Sequence, residues 1–320
     1  YKNRLKLDWQ NEDIAVPSFI GLKQITDYPL DEIRKYIDWT FFFSAWEIRG
    51  SFPKILNDPV KGKVAQELFE NANLLLDEII EKKLLQANVA YGFWPSNSEK
   101  DDIILYKNEE RADELVRFNM LRQQKIRKGI TLSLSDFIAP KNSGIKDYLG
   151  AFAVTAGINA NELSKMYQKE NDDYNSIMVK SIADRLAEAL TELMHQKIRN
   201  EWGFPDSQSI SNSDLIRERY RGIRPAFGYP ACPNHSEKEK LFDILEKYQK
   251  FTKWLETIRG EGGGRAEGMM AKGVGEFAYP PSQGGQKRYW WESLASRRVG
   301  LKGVPWGPSP AGTRGPTIIN

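Results

Sequence analysis

The stretch Arg224–Pro233 holds residue types that could bind a small charged ligand. It sets one arginine among three prolines, a glycine and a tyrosine, Tyr229. Because proline fixes φ and cannot donate a backbone hydrogen bond, the stretch predicts a stiff loop rather than a helix or a central strand. The guanidinium of Arg224 offers a planar fork of donors that suits a carboxylate or a phosphate. Such a loop fits a small zwitterionic ligand; the alternative is a structural proline corner with a surface arginine.

Three carboxylates recur on one face of a predicted helix. Asp184, Glu188 and Glu192 stand at positions i, i+4 and i+8 of a segment predicted to be helical over residues 173–200. Another face of that segment is apolar and carries Ile177, Met178, Ile182, Leu186, Leu190 and Met194. Taken alone, an acidic stripe of this kind is typical of a solvated surface more often than of a functional site.

The other reactive side chains argue against several classes of site. The single cysteine, Cys232, excludes an internal disulfide and is typical of a reducing compartment, which predicts a cytoplasmic protein. With only His195 and His235 besides, we expect no zinc site built by this chain. Gly260–Gly264 follows no predicted strand and lacks the Lys-Ser/Thr ending of a phosphate loop. No Ser-His-Asp or Cys-His arrangement is present, so no catalytic nucleophile is predicted.

The elements that must position these residues show no regular strand–helix–strand order. This favours an α+β fold, with mixed helices around a mainly antiparallel twisted sheet. Helices are predicted to start near Pro29 and to cover Val64–Leu85, and the aromatic patch Trp39–Trp46 is interpreted as core. The predicted strands are Val89–Trp94, Asp102–Tyr106, Leu134–Ile138 and Tyr148–Thr155, with Phe118–Arg122 either a strand or the start of a short helix.

Composition predicts a soluble globular protein with a substantial core. The chain has 320 residues, of which 40% are hydrophobic and 12% aromatic. No run approaches the ~18 apolar residues of a membrane span, so no membrane association is expected. The chain begins with Tyr1 rather than methionine, and we interpret it as a piece of a longer polypeptide. The chain has a net charge of +3, and residues 259–320 alone carry +5, so residues 1–258 carry −2. A body with this charge does not favour nucleic-acid binding.

The last part of the chain changes character. From Gly260 to Asn320 it holds 14 of the 25 glycines, no aspartate and no sustained apolar period. This predicts a folded domain over residues 1–246 and a divergent tail rich in Gly, Arg and Trp over residues 247–320. The tail is interpreted as disordered, as a replaced end, or as the product of an altered reading frame.

Six segments, taken in order, resemble the C-terminal activation domain of cobalamin-dependent methionine synthase, which binds S-adenosylmethionine. They match at compatible spacing across residues 1 to about 246, and together they are highly specific. The segments are Tyr36–Thr40, Asp136–Lys141 with Ser143 and Gly144, Asp147–Thr155, Asp172–Asn175, Ala183–Ala189 and Arg224–Pro233.

The resemblance implies a set of ligand contacts. By motif position, Asp38, Glu188 and Arg224 are implied to contact S-adenosylmethionine, with Ala226 and Tyr229 completing the loop contacts. The chemistry agrees, because the ligand's α-carboxylate suits Arg224 and its α-ammonium suits a carboxylate such as Asp38. The adenine and the sulfonium suit aromatic or acidic neighbours.

The chain departs from the family pattern at two positions and in the tail. Phe41 and Phe227 stand where the family usually has proline. Without proline at the second position we expect a less rigid loop, which lowers affinity through the entropy of ordering it. After about Glu246 the family pattern is no longer recognisable.

The resemblance implies a role in reactivation within the enzyme that transfers a methyl group from 5-methyltetrahydrofolate to homocysteine. This region would bind S-adenosylmethionine for reductive methylation of oxidised cobalamin, with a flavodoxin-type reductase donating the electron. The chain shows no Asp-x-His-x-x-Gly motif, so cobalamin is expected on another domain of the same enzyme, and zinc only in N-terminal modules. Two alternatives are a non-catalytic docking module for the reductase and the cobalamin domain, and an independent S-adenosylmethionine-dependent methyltransferase.

Overall fold

The computed structural model describes residues 3–5, 7–9, 14–124, 131–203, 205–206, 210–216, 220, 227–228 and 230–246, and the backbone of residues 265–271. They belong to a compact unit that runs from Tyr1 to Gly285; a second unit runs from Gln286 to Asn320. The helices in the described ranges are α1 (Leu30–Arg34), α2 (Trp39–Ala45), α3 (Gly62–Glu81), α4 (Ala160–Lys169), α5 (Asp173–Glu201), α6 (Asn212–Ile216) and α7 (Glu237–Glu246). The strands are β1 (Gly21–Ile25), β2 (Gln86–Glu99), β3 (Asp102–Tyr106), β4 (Glu114–Asn119), β5 (Asp147–Ile158) and β6 (Arg265–Ala271).

The strands form one antiparallel sheet built around the long strand β2. On one side, β5 pairs with β2 from Gln86 to Ser96, and β6 pairs with the other edge of β5. On the opposite side, β2 pairs first with β1 through Val89–Phe93 and then with β3 through Ser96–Glu99; β4 follows β3. The predicted α+β fold with an antiparallel sheet is confirmed.

Alternation along the strands buries one face of the sheet under the helices. Val89, Tyr91 and Phe93 of β2 and Phe152 and Val154 of β5 belong to a single hydrophobic cluster, with buried residues of α3 and α5. The helix α5 contacts β5 and also α1, α2, α3 and α4. It is therefore the central helical element of the domain.

The sequence of α5 accounts for its start and its length. The Asp172 side chain accepts a hydrogen bond from the Asn175 N–H at 2.9 Å, which caps the first turn and is typically worth about 1 kcal/mol. The apolar side chains that follow are mostly buried, as a helix facing a core requires. The predicted helix over residues 173–200 is confirmed.

The prediction of a strand at Leu134–Ile138 is wrong. Leu134–Phe137 is a 3₁₀ turn that begins with a capping box between Ser133 and Asp136. Local hydrogen bonding of a serine and an aspartate competes with strand pairing, and Asp136 also binds the buried Arg122. Of the ambiguous segment Phe118–Arg122, the first two residues end strand β4, and residues 120–122 belong to neither a strand nor a helix.

The strand β6 lies within the predicted tail. Its backbone pairs with β5 from Leu149 opposite Ala271 to Thr155 opposite Arg265. The other residues of 247–320 lie outside the described part of the chain. The division of the chain at residue 246 stays a prediction.

Candidate functional site

Asp38 is held at the start of α2 by a cap bond. Its Oδ1 accepts a hydrogen bond from the Thr40 N–H at 2.9 Å, and the residue is half-buried. The Thr40 hydroxyl oxygen in turn accepts from the Phe52 N–H at 3.1 Å, which ties the first turn of α2 to the next loop. The carboxylate therefore has a fixed position.

Glu188 lies on α5 and forms a two-pronged ion pair with Arg185. Arg185 Nη1 donates to Oε2 at 2.7 Å, and Nη2 donates to Oε1 at 3.3 Å. The Arg185 side chain is only 7% exposed and that of Glu188 is 24% exposed, so the pair sits in a partly desolvated position. Such a pair orients the carboxylate as well as attracting it.

The environment of Glu188 favours its neutral form. Burial is the largest effect and raises the pKa of its carboxyl to about 7. The Arg185 charge lowers this pKa, whereas the carboxylates of Asp184, Asp38 and Glu192 raise it. We call Asp38, Asp184, Arg185, Glu188 and Glu192 the acidic cluster. The three neighbouring carboxylates each disfavour ionisation of Glu188, so they lie close enough to act on it electrostatically.

The acidic cluster corrects the interpretation of the helical stripe as simple solvated surface. Asp184 is exposed, as that interpretation requires. Glu188 is half-buried, and its burial raises its pKa. The helix α2 packs on α5, and Asp38 at its start adds to this rise. Asp38 and Glu188, which lie far apart in the sequence, thus act on each other electrostatically.

Sequence reasoning did not assign a role to Arg185. It stands within the motif Ala183–Ala189, three residues before Glu188, at a spacing where side chains on a helix meet. The spacing could have indicated an ion pair between Arg185 and Glu188. The burial of the arginine depends on the packing of α5 and cannot be inferred from the spacing.

Three predicted site residues lie outside the described part of the chain: Arg224, Ala226 and Tyr229. Phe227, Gly228 and residues 230–233 of the same loop are described. Phe227 is 4% exposed and packs against Phe118 with ring centroids 6.5 Å apart. This phenylalanine, at a family proline position, therefore gains a buried contact that anchors the chain directly after residue 226.

Backbone hydrogen bonds anchor the second half of the loop. The Gly228 N–H donates to the Cys232 carbonyl at 2.8 Å, and the Leu134 N–H donates to the Ala231 carbonyl at 2.8 Å. Leu134 is the first residue of the 3₁₀ turn that contains the buried Asp136. The bond to Ala231 therefore ties the loop to that turn. The motif Asp136–Lys141 thus has a structural role beneath the loop.

Replacing Gly228 by alanine is expected to destabilise this anchor. Gly228 has φ +94°, and a Cβ there would overlap the imidazole of His235. Backbone strain alone costs about 1–2 kcal/mol at a left-handed position, and the displaced ring adds to it. The matched control is Gly144→Ala, since Gly144 has φ +72° with nothing within 4 Å of its Cβ. Thermal unfolding of both variants checks this; equal losses would show that the His235 contact contributes nothing.

The described residues offer neither a metal site nor a membrane span. They contain no group of three or more His, Cys, Asp and Glu side chains arranged to hold a metal ion. In the same part of the chain, no helix is both long and apolar enough to cross a membrane.

The fold and the site define a class: an α+β domain with a half-buried cluster of acidic side chains. Comparison with known proteins narrows the class. Residues 29–255 match the family model of the vitamin B12 dependent methionine synthase activation domain. The crystal structure of the MetH reactivation domain bound to AdoHcy matches with a TM-score of 0.74 and 43% sequence identity, over 77% of this chain and 76% of that chain. The chain belongs to the family of vitamin B12-dependent methionine synthase activation domains, and the resemblance seen in the sequence is confirmed.

Proposed function

We propose that this domain binds S-adenosylmethionine and presents its methyl group for reactivation of the oxidised cobalamin of methionine synthase. The observation that carries the proposal is the acidic cluster, in which the Asp38 carboxylate at the start of α2 helps to raise the pKa of half-buried Glu188 on α5. The structural relative with AdoHcy bound supports a ligand of the same kind.

The acidic cluster supplies the cation-binding half of the proposed site. S-adenosylmethionine carries a sulfonium and an α-ammonium, and a carboxylate near either forms a charge-assisted contact. Asp38 is fixed by its cap bond, and Glu188 is fixed by Arg185. Neither needs to reorganise when a cation arrives, which lowers the cost of binding.

The loop Arg224–Pro233 supplies the anion-binding half. In this proposal Arg224 binds the α-carboxylate, and Ala226 and Tyr229 complete the loop contacts. The support is indirect: the described residues of this stretch are held by the packing of Phe227 and by the backbone bonds of Gly228 and Ala231.

The proposed mechanism asks this chain to position rather than to react. When bound, S-adenosylmethionine supplies the methyl group and a cobalamin held by another domain of the same enzyme accepts it. The chain's residues bind the two charged ends of the ligand and orient the methyl group, which is catalysis by positioning. A flavodoxin-type reductase would donate the electron, and zinc would belong to the folate and homocysteine modules.

Calorimetric titration with S-adenosylmethionine tests the proposal. We expect the wild-type chain to bind, Asp38→Asn to bind about 10–100-fold more weakly, and Arg224→Ala to bind at least about 30-fold more weakly, since each removes a charge-assisted contact. Asp58→Asn is the matched control. Asp58 also caps a turn, accepting from the Val60 and Lys61 N–H groups at 2.9 Å, but it is absent from the acidic cluster. Asparagine can cap in both places, so only the charge at the site differs.

The outcomes separate the alternatives. A folded wild-type chain that fails to bind would leave a docking module for the reductase and the cobalamin domain. A chain that binds, and methylates an acceptor without any cobalamin-bearing partner, would be an independent methyltransferase. Methylation that requires the cobalamin domain supports reactivation.

A further inference from the structure

Arg185 is the buried cation of the acidic cluster. Its side chain is 7% exposed, and its guanidinium donates to both carboxylate oxygens of Glu188, at 2.7 Å from Nη1 and at 3.3 Å from Nη2. Two bonds from one planar group fix the direction of a carboxylate as well as its distance. The glutamate is therefore held in one orientation on the half-buried face of α5.

The pair is poorly explained as a stabiliser of the helix. On a helix surface the favourable order is an acid followed by a base, which agrees with the helix dipole. The pair Glu78–Lys82 of α3 follows this order. Arg185 instead precedes Glu188. A buried ion pair also adds little net stability, because both charges lose their hydration, so a role in the site accounts for this pair better.

Arg185 counteracts the groups that favour the neutral form of Glu188. The pKa of the Glu188 carboxyl is raised to about 7, mainly by burial. The carboxylates of Asp38 on α2 and of Asp184 and Glu192 on α5 also raise this pKa. The Arg185 guanidinium acts in the opposite direction. Because the carboxyl titrates near neutral pH, the loss of one positive charge would change its ionisation there.

We infer that Arg185 is a positioning residue that acts through Glu188: its guanidinium fixes the direction of that carboxylate and offsets the negative charge around it. This inference rests on the cation-binding role proposed for Glu188. A carboxylate that is already oriented and ionised has less to reorganise when a sulfonium or an ammonium group binds beside it. Arg185 need not touch the ligand to have this effect.

The test compares Arg185→Gln with a conservative variant and a matched control. Arg185→Lys keeps the positive charge and loses the fork of donors. Arg117→Gln is the control, because Arg117 of β4 forms the same kind of two-pronged pair with a glutamate three residues away. Its Nη2 and Nε donate to Glu114 at 2.6 and 3.3 Å. That pair does not belong to the acidic cluster.

The first readout needs no ligand: the titration of the Glu188 carboxyl, followed by carbon-13 NMR and assigned by its loss in Glu188→Gln. For Arg185→Gln we expect the midpoint to rise by at least about one pH unit, since a close positive charge lowers a carboxyl pKa by that much or more. Arg185→Lys should stay within about half a pH unit of wild type. Arg117→Gln should leave the midpoint unchanged.

The second readout is the dissociation constant for S-adenosylmethionine at pH 7.5. We expect binding to weaken about 5–20-fold in Arg185→Gln and about threefold in Arg185→Lys, because the first loses charge and direction and the second only direction. Each change should have an effect below about twofold when it is made together with Glu188→Gln, since the effect passes through the glutamate. Arg117→Gln should bind as wild type does.

The inference is overturned if Arg185→Gln leaves the Glu188 midpoint in place, or if it weakens binding equally with and without Glu188→Gln. If Arg185→Gln does not fold, Arg185→Lys in the same two backgrounds decides, and an equal loss in both contradicts the inference. If the wild-type chain binds no S-adenosylmethionine, the proposed function fails, and the NMR titration still decides whether Arg185 controls the charge of Glu188.

Discussion

Replacing Asp136 by alanine is expected to lower the free energy of unfolding by about 3–5 kcal/mol, the usual loss when one partner of a buried ion pair is removed. The Asp136 carboxylate is fully buried and accepts from both terminal nitrogens of Arg122, at 2.7 Å each. It also accepts from the Ser133 N–H at 3.0 Å. The alanine variant leaves the Arg122 guanidinium and that N–H without this partner in the core.

Urea denaturation measures this loss, and Asp101→Ala is its control. Asp101 also binds Arg122, at 2.6 Å, but its side chain is 28% exposed, so water can replace it. We expect a loss of about 1 kcal/mol for the control. Equal losses for the two variants, or a loss below about 1 kcal/mol for Asp136→Ala, would contradict the importance of burial here.

The affinity for S-adenosylmethionine is expected to fall as the pH drops below about 7. Burial and neighbouring carboxylates raise the pKa of Glu188 to about 7 in the ligand-free protein. A bound cation favours the ionised carboxylate and so lowers that pKa, which means that binding near neutral pH releases a proton. Affinity should therefore decrease by roughly 10–30-fold between pH 7.5 and pH 5.5.

Calorimetry in buffers with different ionisation enthalpies measures both the pH profile and the released proton. The ligand's own amino group titrates at about pH 8, above most of this window. Glu188→Gln is the decisive control, because it should bind more weakly at pH 7.5 and lose most of the pH dependence. A wild-type profile that is flat from pH 5.5 to 7.5 would show that Glu188 does not meet the cation.

The raised pKa of Glu188 also determines how the stability of the ligand-free protein changes with pH. Between its ordinary pKa of 4.5 and the folded value of about 7, Glu188 binds more protons in the folded chain than in the unfolded one. Stability from this group therefore falls as the pH rises from about 4.5 to 7 and stays level above that. A bound cation counteracts this loss, because it stabilises the ionised carboxylate of the folded chain at the pH values where that carboxylate is unfavourable without ligand.

Periodicity predicted the elements of this domain better than it predicted their side-chain environments. The helix over residues 173–200 could be predicted because its apolar spacing is long and regular. Leu134–Ile138 was mistaken for a strand because its apolar residues are common to strands and short turns, and the buried partner Arg122 cannot be inferred from local sequence.

The candidate site shows the same limit. Asp184 and Glu188 occupy the same stripe and have the same chemistry, yet only Glu188 is desolvated, because α2 packs beside it. The resemblance to a family implies ligand contacts for Glu188 and Asp38, which stay a prediction, whereas spacing alone favoured a solvated surface.

One unbroken helix, α5, carries both Glu188 and Arg199, eleven residues apart. At 1.5 Å per residue, these positions are separated by about 16 Å along the axis and by three helical turns. A half-buried glutamate and a fully buried arginine are thus kept at a set spacing by the backbone of one helix. Because a helix is stiff along its axis, a change in packing at one end of α5 would be transmitted to the other end.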